Sequence, residues 1–562
     1  MGQLLKHAAL KNRLAIAITK YRPVCLRLWL LMLLLGPTPA VAVNDGGHRS
    51  LEANYLAARQ ASHLNDLKAA ATYYLAALRL DSGNPDLLQQ SFATQYMLGN
   101  IDAAAALARQ MEMSNLRISF ASEPATAQAI LREDWDAVLV LADHIDETVA
   151  ARPIAAVIRA WALAAKGQPA AGIAGLLQTG RSLTTDQNGI APMFVMQAAH
   201  LAEMAGDTDA QHIHMKVLID RDTLPSQIIL QLAAMLVRDG DSRQALNQIG
   251  GLPNGFGARQ LRAMLSAQDE PMPIRSQIAT AIIDASLVGN SAESRLMLPA
   301  RLSLALYIDP QVDSARFFLA QALGDNGQDA LVQAQLDAIG DDSVWSQPRL
   351  LMRLDIDRRT DIDAAIKRVK AALARDRENG LLFKELGDLS RFSDRFAEAR
   401  DAYITARELG YESRDIDRNL AIAYERLGQD ELAESHFLKA LEINPNDPFS
   451  LNYLGYWWAD AGRNLDQAIG LIERAVKLRP KSGYFVDSLG WVHFKLGNID
   501  LAIGFLEKAT LLEPADPVIT DHLGDAYWAA GRHNEALFKW TYALSLATDD
   551  ELKAQIEAKL AR

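Results

Sequence analysis

Leucines and small residues recur along the last third of the chain with a period of 34 residues, once 35. The first series consists of leucine followed by glycine or alanine, at Leu386-Gly387, Leu420-Ala421, Leu454-Gly455, Leu489-Gly490 and Leu523-Gly524. Two series of alanines keep the same spacing, at Ala399, Ala433, Ala468, Ala502 and Ala536, and at Ala406, Ala440, Ala475, Ala509 and Ala543. This period is typical of repeats built from two antiparallel helices, with small residues where the backbones approach closely. The pattern therefore predicts an all-α fold.

Residues that stop helices mark the ends of the predicted elements. Glycines stand in the turns between helices, at Gly428, Gly462, Gly497 and Gly531, where a positive φ is often required. Prolines follow the second helix, at Pro445, Pro480 and Pro514. We predict five well-formed units over 380–413, 414–447, 448–482, 483–516 and 517–550. Residues 551–562 should form a capping helix over the last apolar edge, rather than a partner-binding tail.

Weaker copies of the pattern extend towards the N-terminus. Gly206 and Gly240 are again 34 residues apart, and Leu98-Gly99 is followed by alanines at the expected places. We predict degenerate helical repeats over two ranges, 51–266 and 276–379. Prolines and glycines interrupt the pattern between Gly250 and Arg275. Two interpretations stay open there: a hinge near 250–275, or one continuous superhelix.

The motifs of these repeats resemble those of the tetratricopeptide-repeat family, strongly over 380–550 and loosely over 51–379. The stretch Val486-Asp487-Ser488-Leu489-Gly490-Trp491, together with Asp516 to Ala526, is similar to the C-terminal end of a group of exported repeat proteins in Gram-negative bacteria. The resemblance implies a right-handed superhelical solenoid of helix pairs. It also implies a concave groove that binds peptides or proteins, without identifying the partner.

The first 42 residues have the features of a secretory signal peptide. They contain six basic residues and no acidic ones, and an apolar run extends from Leu28 to Leu35. That run would span only about 12 Å as a helix, against roughly 30 Å for a bilayer core. Ala40-Val41-Ala42 supplies a cleavage pattern, so we predict a periplasmic protein that begins near Val43. An uncleaved inner-membrane anchor extending back to Leu14 is the alternative.

Charge and cysteine content narrow the classes of partner. The net charge is −12, and without the leader the chain has 51 basic and 69 acidic residues, a net charge of −18. This acidic balance argues against nucleic acids and anionic membrane surfaces as binding partners, because both attract basic proteins. The only cysteine, Cys25, lies in the leader, so the mature chain has no disulfide. No later apolar stretch is long enough for a transmembrane span.

Side chains on the first helices of the last three units are the candidate binding residues, because the register places them towards the groove. They combine aromatic, acidic and amide groups: Asn452, Tyr456, Asp487, Trp491, Phe494, Asp521, Asp525 and Trp528. Carboxylates and rings of this kind suit a basic or aromatic peptide. They equally suit a sugar chain. The alternative without a ligand is that the aromatic rings pack between repeats and the acids form a solvated face.

One family function can be compared position by position. Some tetratricopeptide domains bind a C-terminal carboxylate through five Lys, Asn or Arg side chains. The corresponding residues here are Lys384, Asp388, Asn419, Phe449 and Tyr453. Only two of them match, and Asp388 would repel a carboxylate. We therefore predict that this clamp is absent.

No motif in the sequence indicates catalysis, a cofactor or a metal. His212 and His214 are two residues apart, so on a helix they point to different faces, unlike the i, i+4 pair of a zinc helix. We expect a non-enzymatic scaffold or adaptor that binds proteins or peptides in the cell envelope. The alternative function is a periplasmic component of exopolysaccharide synthesis or export.

Overall fold

The computed structural model describes residues 50–64, 66–116, 120–145, 150–183, 190–250, 272–289, 291–324 and 328–561. All regular secondary structure in these ranges is helical, which confirms the all-α prediction. The predicted signal peptide, residues 1–42, lies outside the described residues, as does most of 250–275. None of the helices in the described ranges combines the length and the apolar character that a membrane span requires.

The described residues divide into two compact units between Arg359 and Thr360. The helices of the N-terminal unit are α1 (Leu51–His63), α2 (Leu67–Leu80), α3 (Pro85–Met97), α4 (Ile101–Met113), α5 (Ser122–Leu131), α6 (Trp135–Ile145), α7 (Arg152–Ala165), α8 (Pro169–Leu183), α9 (Pro192–Ala205), α10 (Thr208–Ile219), α11 (Ser226–Arg238), α12 (Ser242–Gly250), α13 (Ile274–Val288), α14 (Ala292–Ile308), α15 (Asp313–Gly324), α16 (Asp329–Asp337) and α17 (Ser346–Thr360). This division falls before Gly380, where the well-formed repeats were predicted to begin.

Helices α1 to α12 form successive antiparallel pairs, as a helical-repeat array requires. Each odd-numbered helix packs against the even-numbered helix that follows it. The first helices of neighbouring pairs also contact one another, as α7 does α9 and α9 does α11. The array therefore curves with the first helices on its inside. We call the surface formed by the first helices of a unit its inner face.

Helices α13 and α14 fold back instead of extending the array. Helix α13 packs against α7 and α9, and α14 packs against α3, α4 and α5. The pair thus covers the inner face of its own unit. Residues 274–308, at the start of the second predicted range of degenerate repeats, 276–379, therefore pack against helices of the first predicted range, 51–266. An apolar period identifies an amphipathic helix but does not say which surface it will cover.

The C-terminal unit is the more regular of the two. Its helices are α18 (Ile362–Arg375), α19 (Gly380–Phe392), α20 (Phe396–Glu408), α21 (Ile416–Arg426), α22 (Asp430–Ile443), α23 (Pro448–Asp460), α24 (Leu465–Leu478), α25 (Gly483–Lys495), α26 (Ile499–Leu512), α27 (Pro517–Ala529), α28 (His533–Leu546) and α29 (Asp550–Leu560). Each of the five predicted units contains one helix pair, from α19–α20 to α27–α28. Their first helices form the inner face of this unit.

Local sequence explains where these helices begin and end. Asp447 and Asp516 accept hydrogen bonds from backbone amides of the first turns of α23 and α27, and a proline follows each of them. Glycines that end first helices have positive φ, for example 66° at Gly462 and 76° at Gly531. The last helix, α29, buries Ile556 fully against α28 and so covers the apolar end of the array.

Candidate binding groove

The eight predicted binding residues lie on three first helices that are neighbours in space. Helix α23 carries two of them, α25 three and α27 three, and α25 contacts both α23 and α27. We call the inner face of these three helices the candidate groove. The structure places on α23 Asn452 and Tyr456, on α25 Asp487, Trp491 and Phe494, and on α27 Asp521, Asp525 and Trp528.

A buried histidine–aspartate pair lies at the centre of the candidate groove. His522 Nδ1 is 2.9 Å and 3.1 Å from the two carboxylate oxygens of Asp487, whose side chain is 1% exposed. Burial alone would lower the pKa of His522, but the charges of Asp487, Asp521 and Asp525 raise it above its ordinary value. The protonated ring is thereby favoured. Asp487 is therefore paired within the protein.

Aromatic rings from the three helices form a continuous stack around this histidine. Trp491 lies parallel to His522 with ring centroids 4.1 Å apart, and Phe494 stacks on Trp491 at 5.0 Å. Tyr456 approaches His522 from α23 at 6.5 Å. Trp491 Nε1 also donates a hydrogen bond of 3.2 Å to Asp460. Contacts of this kind are expected if the aromatic rings pack between repeats, which was the alternative to a role in ligand binding.

Lys559 of the capping helix bridges the two acids of α27. Its Nζ donates to Asp521 Oδ2 and Asp525 Oδ2, both at 2.7 Å. Burial raises the pKa of Asp521, and Lys559 opposes that rise. The spacing of four residues puts both acids on one side of α27, so one ammonium reaches both. These two acids already share the cation that they were expected to take from a ligand.

The candidate residues differ in how far solvent reaches them. Tyr456, Phe494, Asp525 and Trp528 are half-buried, whereas the other four are buried: Asn452, Asp487, Trp491 and Asp521. Trp528 lies at 4.3 Å from the ring of His533 and 5.3 Å from that of Trp540. Burial also raises the pKa of the Tyr456 hydroxyl. A ligand would meet the four half-buried side chains first.

Sequence reasoning missed the two residues that complete this arrangement. His522 was considered only beside Asp521, its neighbour in sequence, and Lys559 only as part of a capping helix. The repeat period contains a signal for both. Asp487 and His522 are 35 residues apart, and Asp525 and Lys559 are 34 apart, so each pair lies at nearly the same level on helices one repeat length apart.

Comparison with known proteins begins with the repeats themselves. A tetratricopeptide-repeat family profile matches residues 384–448 and 459–517. These residues of the chain are tetratricopeptide repeats. The two matched ranges lie within α19 to α28, the part of the chain in which the pairs of helices follow the 34-residue period. Such repeats are protein-interaction modules, so the chain is a scaffold of the tetratricopeptide type.

Individual relatives are distant. Photosystem I assembly protein Ycf3 from Synechococcus sp. (strain CC9605) is 33% identical over 113 residues, which are 17% of this chain and 64% of that protein. The match thus spans less than two thirds of the relative. Among solved structures, the Cut9–Hcn1 complex of the APC/C has 16% identity and a TM-score of 0.37, covering 91% of this chain and 96% of that one. Yeast Tom70 has 14% identity and a TM-score of 0.30, covering 91% and 95%.

Residues at the positions of the carboxylate clamp, which the sequence predicts to be absent, bind one another in the structure. Lys384 Nζ is 2.8 Å from Asp388 Oδ2. Asn419 donates to the other oxygen of Asp388 at 3.1 Å, and Tyr403 donates to that oxygen at 2.6 Å. The two side chains that match the clamp are thus both bound to Asp388, the residue that would repel a carboxylate.

One of the two histidines of α10, His212, has a partner in the structure. His212 Nε2 lies 2.8 Å from Asp239 Oδ2, at the end of α11. This contact joins two neighbouring helices of the N-terminal unit. It accounts for His212 without a ligand.

Proposed function

We propose that this tetratricopeptide-repeat protein is an exported adaptor that docks a protein or peptide in the candidate groove and organises protein assemblies in the cell envelope. The observation that carries the proposal is the contrast between the two inner faces. That of the N-terminal unit is covered by α13 and α14. Within the described part of the C-terminal unit, only α29 reaches over the inner face, and it does so at the end, through Lys559.

The exposed side chains of the candidate groove support a peptide or protein as the ligand. Tyr456, Phe494 and Trp528 offer partly exposed rings, the side chains that dominate binding energy at protein interfaces. Asp487, Asp521 and Asp525 have internal cationic partners, so a basic ligand side chain would have to compete with His522 or Lys559. We therefore favour an aromatic or apolar anchor on the ligand over a cluster of basic residues.

Photo-crosslinking at single positions tests the groove. A photoreactive phenylalanine analogue at Phe494 or at Trp528 should capture the same partner in cells, because both side chains reach the surface of the candidate groove. The matched control is the analogue at Tyr542, a 42% exposed aromatic on α28, outside the inner face. Equal capture from all three positions, or capture from Tyr542 alone, would remove the groove from the proposal.

Export is tested separately by the N-terminus of the protein purified from its own cells. We expect the mature chain to begin near Val43 and to be released with the periplasmic fraction, because Ala40-Val41-Ala42 follows a short apolar run. Edman degradation or intact mass measures this directly. A chain that keeps Met1 and sediments with the inner membrane would support the anchor that extends back to Leu14.

A further inference from the structure

A single buried carboxylic acid joins α13 to the inner face of the N-terminal unit. Asp284 is 2% exposed. Gln197 Nε2 donates to it at 2.8 Å, and Gln231 Nε2 lies 3.0 Å from both of its oxygens. Trp161 Nε1 in turn donates to Gln197 Oε1 at 2.9 Å. The acid of α13 is thus held by neutral amides from α9 and α11, in a network that extends to α7.

Several charged groups on the surrounding helices have partners other than Asp284. On α7, Arg159 pairs with Asp143. On α11, Arg238 pairs with Glu203 of α9 at 2.7 Å. On α14, Arg301 is bound by Glu123, and Arg316 of α15 donates to the carbonyl of Pro310. His200 of α9 reaches the network only through Gln231, at 3.2 Å. No cation therefore stands among the hydrogen-bond partners of Asp284 in the described residues.

A buried carboxyl without a cation is more stable in its protonated form. Burial raises the pKa of Asp284 to about 7, although hydrogen bonds from Gln231, Gln197 and Gln227 lower it. When α13 is detached, the carboxyl returns to water and to an ordinary pKa of about 4. Below pH 4 the carboxyl group of Asp284 is neutral in both the docked and the detached form. Between about pH 4 and 7 the detached form loses a proton that the docked form keeps, so docking weakens about tenfold per pH unit and then levels off.

We propose that docking of α13 on the inner face of the N-terminal unit is linked to protonation of Asp284, so that rising pH loosens the contact. Detachment of α13 would uncover apolar surface of α7 and α9, the helices against which it packs. At low pH α13 therefore covers the inner face of this unit, and near neutral pH its detachment makes an apolar surface accessible more often. This inference is independent of the candidate groove, which lies in the other unit.

Hydrogen exchange of the full-length chain at pH 5, 6, 7 and 8 tests the proposal. After correction for intrinsic exchange, the opening constant of amides in α13 should rise about tenfold per unit up to pH 7 and stay constant above it. Asp284→Asn should remove this slope. His200→Gln should keep it, because it leaves the carboxyl in place. Glu203 does not compete as the titrating group: burial raises its pKa, but His200 and Arg238 lower it to about 2.

Amides of α20 in the C-terminal unit provide the internal reference for a global change with pH, because α20 contains no histidine. Burial raises the pKa of its Glu398, but Lys370 and Ser390 outweigh burial and lower it. The proposal is overturned if the slope in α13 is the same in Asp284→Asn as in the wild type, or if His200→Gln abolishes it. If Asp284→Asn does not fold, the wild type alone decides, since an α13 opening constant that does not vary between pH 5 and 7 contradicts the proposal.

Discussion

Replacing Arg301 by methionine should lower the free energy of unfolding of the N-terminal unit by about 3–5 kcal/mol. Arg301 and Glu123 are 2% and 0% exposed, and the guanidinium makes contacts of 3.1 Å and 2.7 Å to one carboxylate oxygen. Tyr96 donates to the other oxygen at 2.5 Å. Methionine fills a similar volume but leaves the Glu123 carboxylate buried without its cation. Urea unfolding of the isolated variants, followed by circular dichroism, measures the loss.

Two further variants separate the buried charge from a general loss of packing. Glu123→Leu combined with Arg301→Met should recover most of the stability, because replacing both members of a buried ion pair by apolar residues is often neutral. Arg159→Met breaks the more exposed pair with Asp143 and should cost only about 0–1 kcal/mol. A double variant as unstable as Arg301→Met would show that the charge is not the cause.

The same ion pair shows why the fold of the N-terminal unit could be predicted only in part. Whether a segment forms a helix depends mostly on residues near it in sequence, and the 34-residue period shows where those helices lie. Arg301 and Glu123 are 178 residues apart, and neither belongs to the repeat pattern. Their contact joins α14 to α5, and it follows from charge, burial and shape in three dimensions. The sequence therefore predicted helices throughout but not the closure of this inner face.

The candidate groove was predictable to a different degree. Register alone put all eight residues on three adjacent first helices, because each residue of a repeat recurs at the same level in the next. It did not indicate that Asp487 would be paired with His522, or that Lys559 would join Asp521 and Asp525. Each of those contacts depends on the side-chain chemistry at one level of two adjacent helices. Comparing residues 34 or 35 positions apart, instead of neighbours in sequence, would have revealed both.

Substituting alanine for glycine should have opposite effects at two positions of the C-terminal unit. Gly524 of α27 lies where the first helix meets the second, and a Cβ there would be 2.4 Å from Trp540 Cδ1. Trp540 is fully buried, so it cannot move away without displacing its neighbours. We expect Gly524→Ala to lower the free energy of unfolding by about 1–3 kcal/mol. Thermal or urea unfolding measures this.

The matched substitution is Gly504→Ala on α26, an interior helical position where an added Cβ meets nothing within 4 Å. Alanine there should stabilise the unit by about 0.5–1 kcal/mol. Alanine has less conformational freedom than glycine to lose when the chain folds, and its Cβ makes no clash at this position. Both variants make the same chemical change in a helix interior, so their difference isolates the close approach of α27 to α28. Equal effects would mean that the small residue of each leucine–glycine pair is not required for helix packing.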